Sequence, residues 1–332
     1  MVVSVEDLAC LDLIIWLRTG ASAAQRLGIS QPKVSRAVQS VSDIFALTIV
    51  KRQGEWEVIG DQDLLNLERA VHQHYRWSKD LPLRIESQYY SGPFYCDPAP
   101  SGWIAGNFDS IEIHTPLRHL RNRVIDAWIG CYPDVPEDGD PDLSCFHLTR
   151  LPTHLVVSPE HPLAKKGDAI SWEDMRHYPS LALPENAFPK IEAVLKRLDL
   201  WNDPQRLKRY DHQKWEGMVS SDLVIGYATA MSMDLFEQPK VILPVKIPLQ
   251  VGDTLVVRRE YASHPRLLGL LEHLRSKAAE LVVRFPEIRL CGSHSWPDQQ
   301  MGATDPGAGL NAPLMAAATG DGSWPPPAQS LA

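Results

Sequence analysis

The chain has 332 residues, enough for two or three folding units of about 150 residues each and a sizeable core. Its 33 Lys and Arg against 41 Asp and Glu give a net charge of −8, which excludes a protein that coats nucleic acid through bulk charge; any phosphate contact must come from where the basic residues sit. No apolar run approaches the roughly 20 residues that span a bilayer, and Glu6 and Asp7 stand where a secretory signal would be basic, so the expected location is the cytoplasm, with no membrane partner.

In chain order, Ser4 is placed to cap a first helix whose Leu8, Leu11, Ile14, Ile15 and Leu17 form an apolar face ending near Gly20. Residues 21–41 then read as a helix, a Gly-containing turn and a second amphipathic helix. Ala24 and Leu27 face inward, Ile29 plugs the turn, and Val34, Val38 and Val41 repeat at i, i+4 and i+7. Ser30 is expected as the N-cap, with Pro32 in the first turn where a missing N–H costs little. The outward positions, Gln31, Lys33, Ser35, Arg36, Gln39 and Ser40, all offer hydrogen bonds to base edges or phosphates, and 31–41 contains no acid. This pattern places a recognition helix in a major groove. Residues 49–58 read as two short strands about Gly54, a wing on which Arg52 would meet phosphate.

The stretch Ala23-Ala24-Gln25-Arg26-Leu27-Gly28-Ile29-Ser30-Gln31-Pro32-Lys33-Val34-Ser35 resembles the AAxRLxxSQPxxS signature of LysR-type transcriptional regulators. The chain departs from that family where a leucine-glycine pair usually follows: here stand Phe45-Ala46, then Ile49-Val50-Lys51-Arg52, keeping the wing arginine. The resemblance implies Ser30, Gln31, Pro32, Lys33, Ser35, Arg36, Gln39 and Arg52 as DNA-contacting residues, an inverted-repeat promoter site in double-stranded DNA, and a homodimer or homotetramer.

Residues 61–79 suit one long helix, the segment through which such proteins pair; His72 and His74, two apart, diverge and are expected on the surface. From residue 83 strands and helices alternate. Strands are expected at 83–87, 110–114, 124–130, 154–158, 180–183 and 223–226, with helices from Trp172, over 191–200 and over 265–284. Ile125-Asp126-Ala127-Trp128-Ile129 and Val156-Val157-Ser158-Pro159-Glu160-His161-Pro162-Leu163 are similar to stretches of the family's effector domain. The fold that follows is α/β with an N-terminal winged helix-turn-helix and a C-terminal pair of lobes like a periplasmic binding protein. Its parts are a DNA-binding unit over 1–60, a linker helix over 61–81, an effector-binding domain over 82–290 and a Gly-, Ala- and Pro-rich tail over 291–332 expected to be disordered.

A small-molecule effector held between the lobes would meet the polar ends of strands, which selects Ser87, Gln88, Tyr89, Thr115, Leu183, Pro184 and Tyr227. The five cysteines are odd in number and lack CxxC spacing, as reduced thiols do. No Gly-rich phosphate loop, HExxH or GxSxG occurs, so no catalytic residue, cofactor or metal is expected. The rival reading is a sensor or adaptor that keeps the fold, has lost DNA binding and acts through protein partners.

Overall fold

The computed structural model describes residues 2–205, 209–219 and 223–292, so the expectation for the tail lies, beyond its first two positions, outside the described residues. Residues Met1–Cys291 form one compact unit. Three helices open it: α1 (Val5–Leu17), α2 (Gly20–Leu27) and α3 (Gln31–Ile44). The Ser4 hydroxyl accepts from Asp7 N at 3.0 Å and starts α1; Thr19 does the same for α2 through Ser22 N. At Gly28 the chain turns left-handed (φ 65°), a conformation glycine adopts without a Cβ penalty. Ser30 precedes α3 as expected, but its hydroxyl makes no capping bond; the Ser30 carbonyl takes the N–H of Lys33 and Val34 instead. The wing is the antiparallel pair β1 (Thr48–Arg52) and β2 (Glu55–Ile59), with Arg52 opposite Glu55.

Helix α4 (Asp63–Ser78) leads into an α/β domain whose elements are β3 (Leu83–Ser87), α5 (Gly92–Tyr95), β4 (Trp103–Ala105), α6 (His114–Arg121), β5 (Ala127–Tyr132), β6 (Leu143–His147) and β7 (Thr149–Val157). Then come α7 (Trp172–Arg176), β8 (Leu181–Ala182), α8 (Pro189–Arg197), β9 (Asp203–Pro204), α9 (His212–Val219), β10 (Gly226–Ala228) and α10 (Ala230–Asp234). The chain returns through β11 (Val241–Arg258), α11 (Pro265–Arg284) and β12 (Arg289–Leu290). The main sheet runs β10-β7-β11-β5-β3-β4, with β6 and β12 paired to β11 and β7 off that path. Strands β7 and β11 cross between lobes. Residues Val241 to Val251 of β11 pair with β7, whereas Gly252 to Arg258 pair with β5 and β6. At the switch a Cβ on Gly252 would lie 2.0 Å from the Thr149 carbonyl oxygen, so only glycine lets the two strands approach there.

Three expectations change. The strand expected over 223–226 begins only at Gly226, as β10. Residues 110–114 form no strand: Ser110 makes a single bridge to Gln88, and the Glu112 carboxylate then collects the N–H groups of His114 and Thr115, starting α6. His72 is buried rather than on the surface, its Nε2 3.0 Å from Glu68 Oε1.

The helix-turn-helix does not stand apart from the lobes. Leu8, Leu11, Trp16, Val34 and Val41 belong to the same apolar cluster as Leu120, Val124, Ile125, Trp128, Leu143 and Val256 of the first lobe. This explains why α1 is buried nearly all round from Leu8 to Leu17: it is sandwiched, and a one-sided stripe would not satisfy both neighbours. A second cluster fills the lobes, with Trp77 at the end of α4 stacked on Tyr261 at 4.6 Å.

Candidate DNA-reading face and interlobe cavity

On α3 the side chains divide as a groove-reading helix requires. Val34, Ala37 and Val41 are buried, while Gln31, Pro32, Lys33, Ser35, Arg36 and Gln39 are exposed, as are Ser30 before the helix and Arg52 on the wing. The outward groups are held lightly from within. Lys33 Nζ lies 2.5 Å from Glu6, Gln39 donates to Asp43 at 2.8 Å, and Arg52 Nη1 is 3.4 Å from Glu57. Exposed pairs of this kind contribute little and give way to a phosphate. The wing is anchored one pair back from its tip: Lys51 Nζ and Trp56 Nε1, opposite each other across the hairpin, both donate at 2.9 Å to the carbonyl of Arg18, which ends α1 in a left-handed conformation.

Buried polar bonds tie this unit to the first lobe. Asp12, within an otherwise apolar helix, accepts from Arg69 Nε at 2.8 Å and Arg84 Nη1 at 3.0 Å. Trp16 Nε1 donates to Glu86 at 2.6 Å, and Ser87 N donates to the same carboxylate at 2.9 Å. From α4, Gln73 and Arg76 donate to Asp126, which also takes Arg84 N. Burial pulls Arg84 down to about 10 and pushes the Glu86 carboxyl up. His119, buried beside Arg118, Arg209 and Arg69, falls to about 3, mainly through burial, and is therefore neutral.

Between the lobes lies a cavity of 60 Å³, lined by Tyr89, Leu183 and Tyr227 of the expected effector residues, and also by Tyr90, Cys131, Thr153, Phe188, Ile191 and Ser232. Ser87 and Gln88 precede Tyr89 on the chain and are buried; Ser87 Oγ, both amide atoms of Gln88 and Thr153 Oγ1 have no hydrogen-bond partner among the described residues. Tyr227 Oη accepts from Leu183 N at 2.9 Å, fixing the cavity wall. Ser87 and Gln88 are not among its lining residues, and neither are Thr115 and Pro184: Thr115 N is spent on Glu112 in starting α6. Tyr90 and Phe188 were legible as neighbours of chosen residues, whereas Thr153 and Cys131 carry no local signal. The cavity is small against the roughly 300 Å³ of ordinary small-molecule pockets, so a ligand is admitted only if the lobes part or an aromatic wall such as Tyr89 moves.

Cys10, Cys96, Cys131 and Cys145 are free thiols; burial pushes Cys96, Cys131 and Cys145 up to about 12 and Cys10 to about 11, which suppresses the reactive thiolate. Among the described residues no group of three or more His, Cys, Asp or Glu is placed to hold a metal, and no helix is long and apolar enough to cross a membrane.

A recognition helix and wing joined to a two-lobed α/β domain define an effector-responsive, DNA-binding transcription regulator. The sequence profile of the LysR substrate binding domain matches residues 109–279, and the chain belongs to the LysR family of transcription regulators. Among solved structures, a full-length OxyR variant from Pseudomonas aeruginosa is similar over 83% of this chain and 94% of its own, with 17% identity and a TM-score of 0.51. CbnR, a LysR family transcriptional regulator, matches over 83% and 99% with 13% identity and a TM-score of 0.48. Full-length BenM matches over 85% and 97% with 16% identity and a TM-score of 0.44.

Proposed function

We propose that this regulator reads an inverted-repeat promoter site in double-stranded DNA as a homodimer or homotetramer, in the cytoplasm and without catalysis of its own. Gln31, Lys33, Ser35, Arg36 and Gln39 reach base edges and phosphates, Ser30 and Pro32 set the start of the helix against the backbone, and Arg52 holds the wing on phosphate. The observation that carries this reading is the exposure of all eight of these residues while Val34, Ala37 and Val41 stay buried.

Functionally the chain divides into a reading unit over 1–60, the helix over 61–81 and the effector domain over 82–290, even though these parts share a core. The outer stripe of α4, Leu64, Leu67 and Val71, at 67%, 66% and 49% exposure, is the surface through which two copies pair. A small molecule bound at Tyr89, Leu183 and Tyr227, with the unpaired groups of Ser87 and Gln88 as hydrogen-bonding partners, biases the arrangement of the oligomer; Thr115 and Pro184 lie outside this reduced set.

The test is fluorescence anisotropy with DNA from upstream of the protein's own coding region, across salt, for wild type and a Lys33→Ala/Arg36→Ala variant. Sequence-preferring binding that weakens with salt and is lost in the variant is expected. No binding by a folded wild-type oligomer would overturn the reading in favour of an adaptor that works through protein partners.

A further inference from the structure

The wing is held by the second lobe as well as by α1. Arg209, between β9 and α9, meets Glu55 through two parallel bonds, Nε to Oε1 and Nη2 to Oε2, both 2.9 Å. Glu55 directly follows Gly54 at the tip of the wing and faces Arg52 across it. The remaining guanidinium nitrogen, Nη1, is 3.5 Å from Asp109, the residue that also pairs with Arg18 at the end of α1. A fork of this kind is geometrically demanding, and both side chains are less than a quarter exposed, so it is stronger and less screened than an open surface pair.

The neighbour of Arg209 packs on a wall of the cavity. Tyr210 donates its backbone N–H to Asp109 O at 2.8 Å and stacks its ring on Tyr89 with centroids 4.0 Å apart and planes 19° apart. Tyr89 is a wall of the interlobe cavity. Tyr89 thus both bounds the space a ligand would take and stacks on the residue next to the wing's anchor. A ligand of ordinary size has to displace some of this cavity's walls, and Tyr89 is one of them.

We propose that Arg209 clamps the wing tip to the second lobe, and that the Tyr89–Tyr210 stack makes this clamp responsive to what occupies the interlobe cavity. With the clamp closed, Arg209 sits against the hairpin tip that has to follow a DNA backbone; with it open, the wing keeps its bonds to the Arg18 carbonyl and its packing on the apolar cluster. This deepens the proposed function and rests on it for its meaning, though not for its test.

The test is hydrogen–deuterium exchange of the full chain without DNA, following amides 48–59 of the wing against α11 as internal reference. Arg209→Ala is expected to speed wing exchange about tenfold, the loss anticipated for a charge-assisted pair, with α11 unchanged. Arg209→Lys keeps the charge but loses the fork and falls between. Tyr210→Ala and Tyr89→Ala, neither of which touches Glu55, loosen the wing in the same direction, while Tyr210→Phe, which keeps the stack, does not. Wild-type exchange in Arg209→Ala overturns the clamp; a wing indifferent to Tyr210→Ala and Tyr89→Ala overturns its link to the cavity. A wing that loosens as expected in a protein that binds no DNA would overturn the proposed function and leave the clamp standing.

Discussion

Asp12 of α1 and Arg84 of β3 meet 3.0 Å apart with neither side chain meaningfully exposed, and Arg69 of α4 completes the set from the other side at 2.8 Å. Three elements, from the reading unit, the linker helix and the first lobe, therefore converge on one carboxylate. Removing it strands two guanidinium groups in an apolar interior. Asp12→Ala is expected to lower stability by about 3–5 kcal/mol, measured by urea unfolding; a loss below 1 kcal/mol would show that the reading unit is not docked this way in solution.

His119 predicts a specific pH dependence. Its pKa in the fold, about 3, lies below the ordinary 6.5, with burial as the main cause. The unfolded chain therefore takes up a proton first as pH falls. The stability His119 contributes is complete above about pH 6.5 and declines toward its folded pKa, at about 1.4 kcal/mol per pH unit. Between pH 6 and pH 4.5, His119→Leu should show a stability slope shallower than wild type by about that amount. Parallel curves would mean that the imidazole is solvated.

Lys33 is held by Glu6 before any DNA arrives. Glu6→Gln frees the ammonium without touching the recognition helix, and DNA affinity is expected to rise roughly two- to fivefold at low salt, with the gain shrinking as salt is added. An unchanged or lower affinity in anisotropy titrations would mean that Lys33 does not reach phosphate.

The outer stripe of α4 is the third of its surfaces, since its inner face is spent on Asp12, Asp126 and the apolar cluster. Leu67→Glu puts a charge at its centre and is expected to yield monomers at micromolar concentration with an unchanged circular dichroism spectrum, as read by sedimentation velocity. Oligomers that persist would place the pairing surface elsewhere.

The parts of this fold legible in sequence are those whose determinants are local. Helix α11 matches residues 265–284 because Pro265 starts it and one apolar stripe runs its length. The helix-turn-helix was legible because Gly28, Pro32 and three valines at helical spacing each answer a local requirement. Strand β11 escaped notice for the opposite reason. Its first half alternates around Pro244 and Pro248, while its second half, after Gly252, is buried on both faces between strands, so no single period covers it. The cavity was legible only at chain neighbours: Tyr89 could be chosen from the end of β3, but Thr153 joins it through β7, far along the chain. An unread signal was present in Asp12. An acid amid LACLDLIIWL requires cations from elsewhere, and Arg69 and Arg84 answer it.

Glu86 takes the indole of Trp16, and the next residue, Ser87, is buried with its hydroxyl unpaired, two positions before the cavity wall Tyr89. A chimera cut at residue 82, joining this reading unit to another sensor, would strip Trp16 of its acceptor and Asp12 of one of its two arginines, and would expose the apolar surface of α1. Reader and sensor here are one heritable piece: exchanging either has to be done together with the face of β3 that the other leans on.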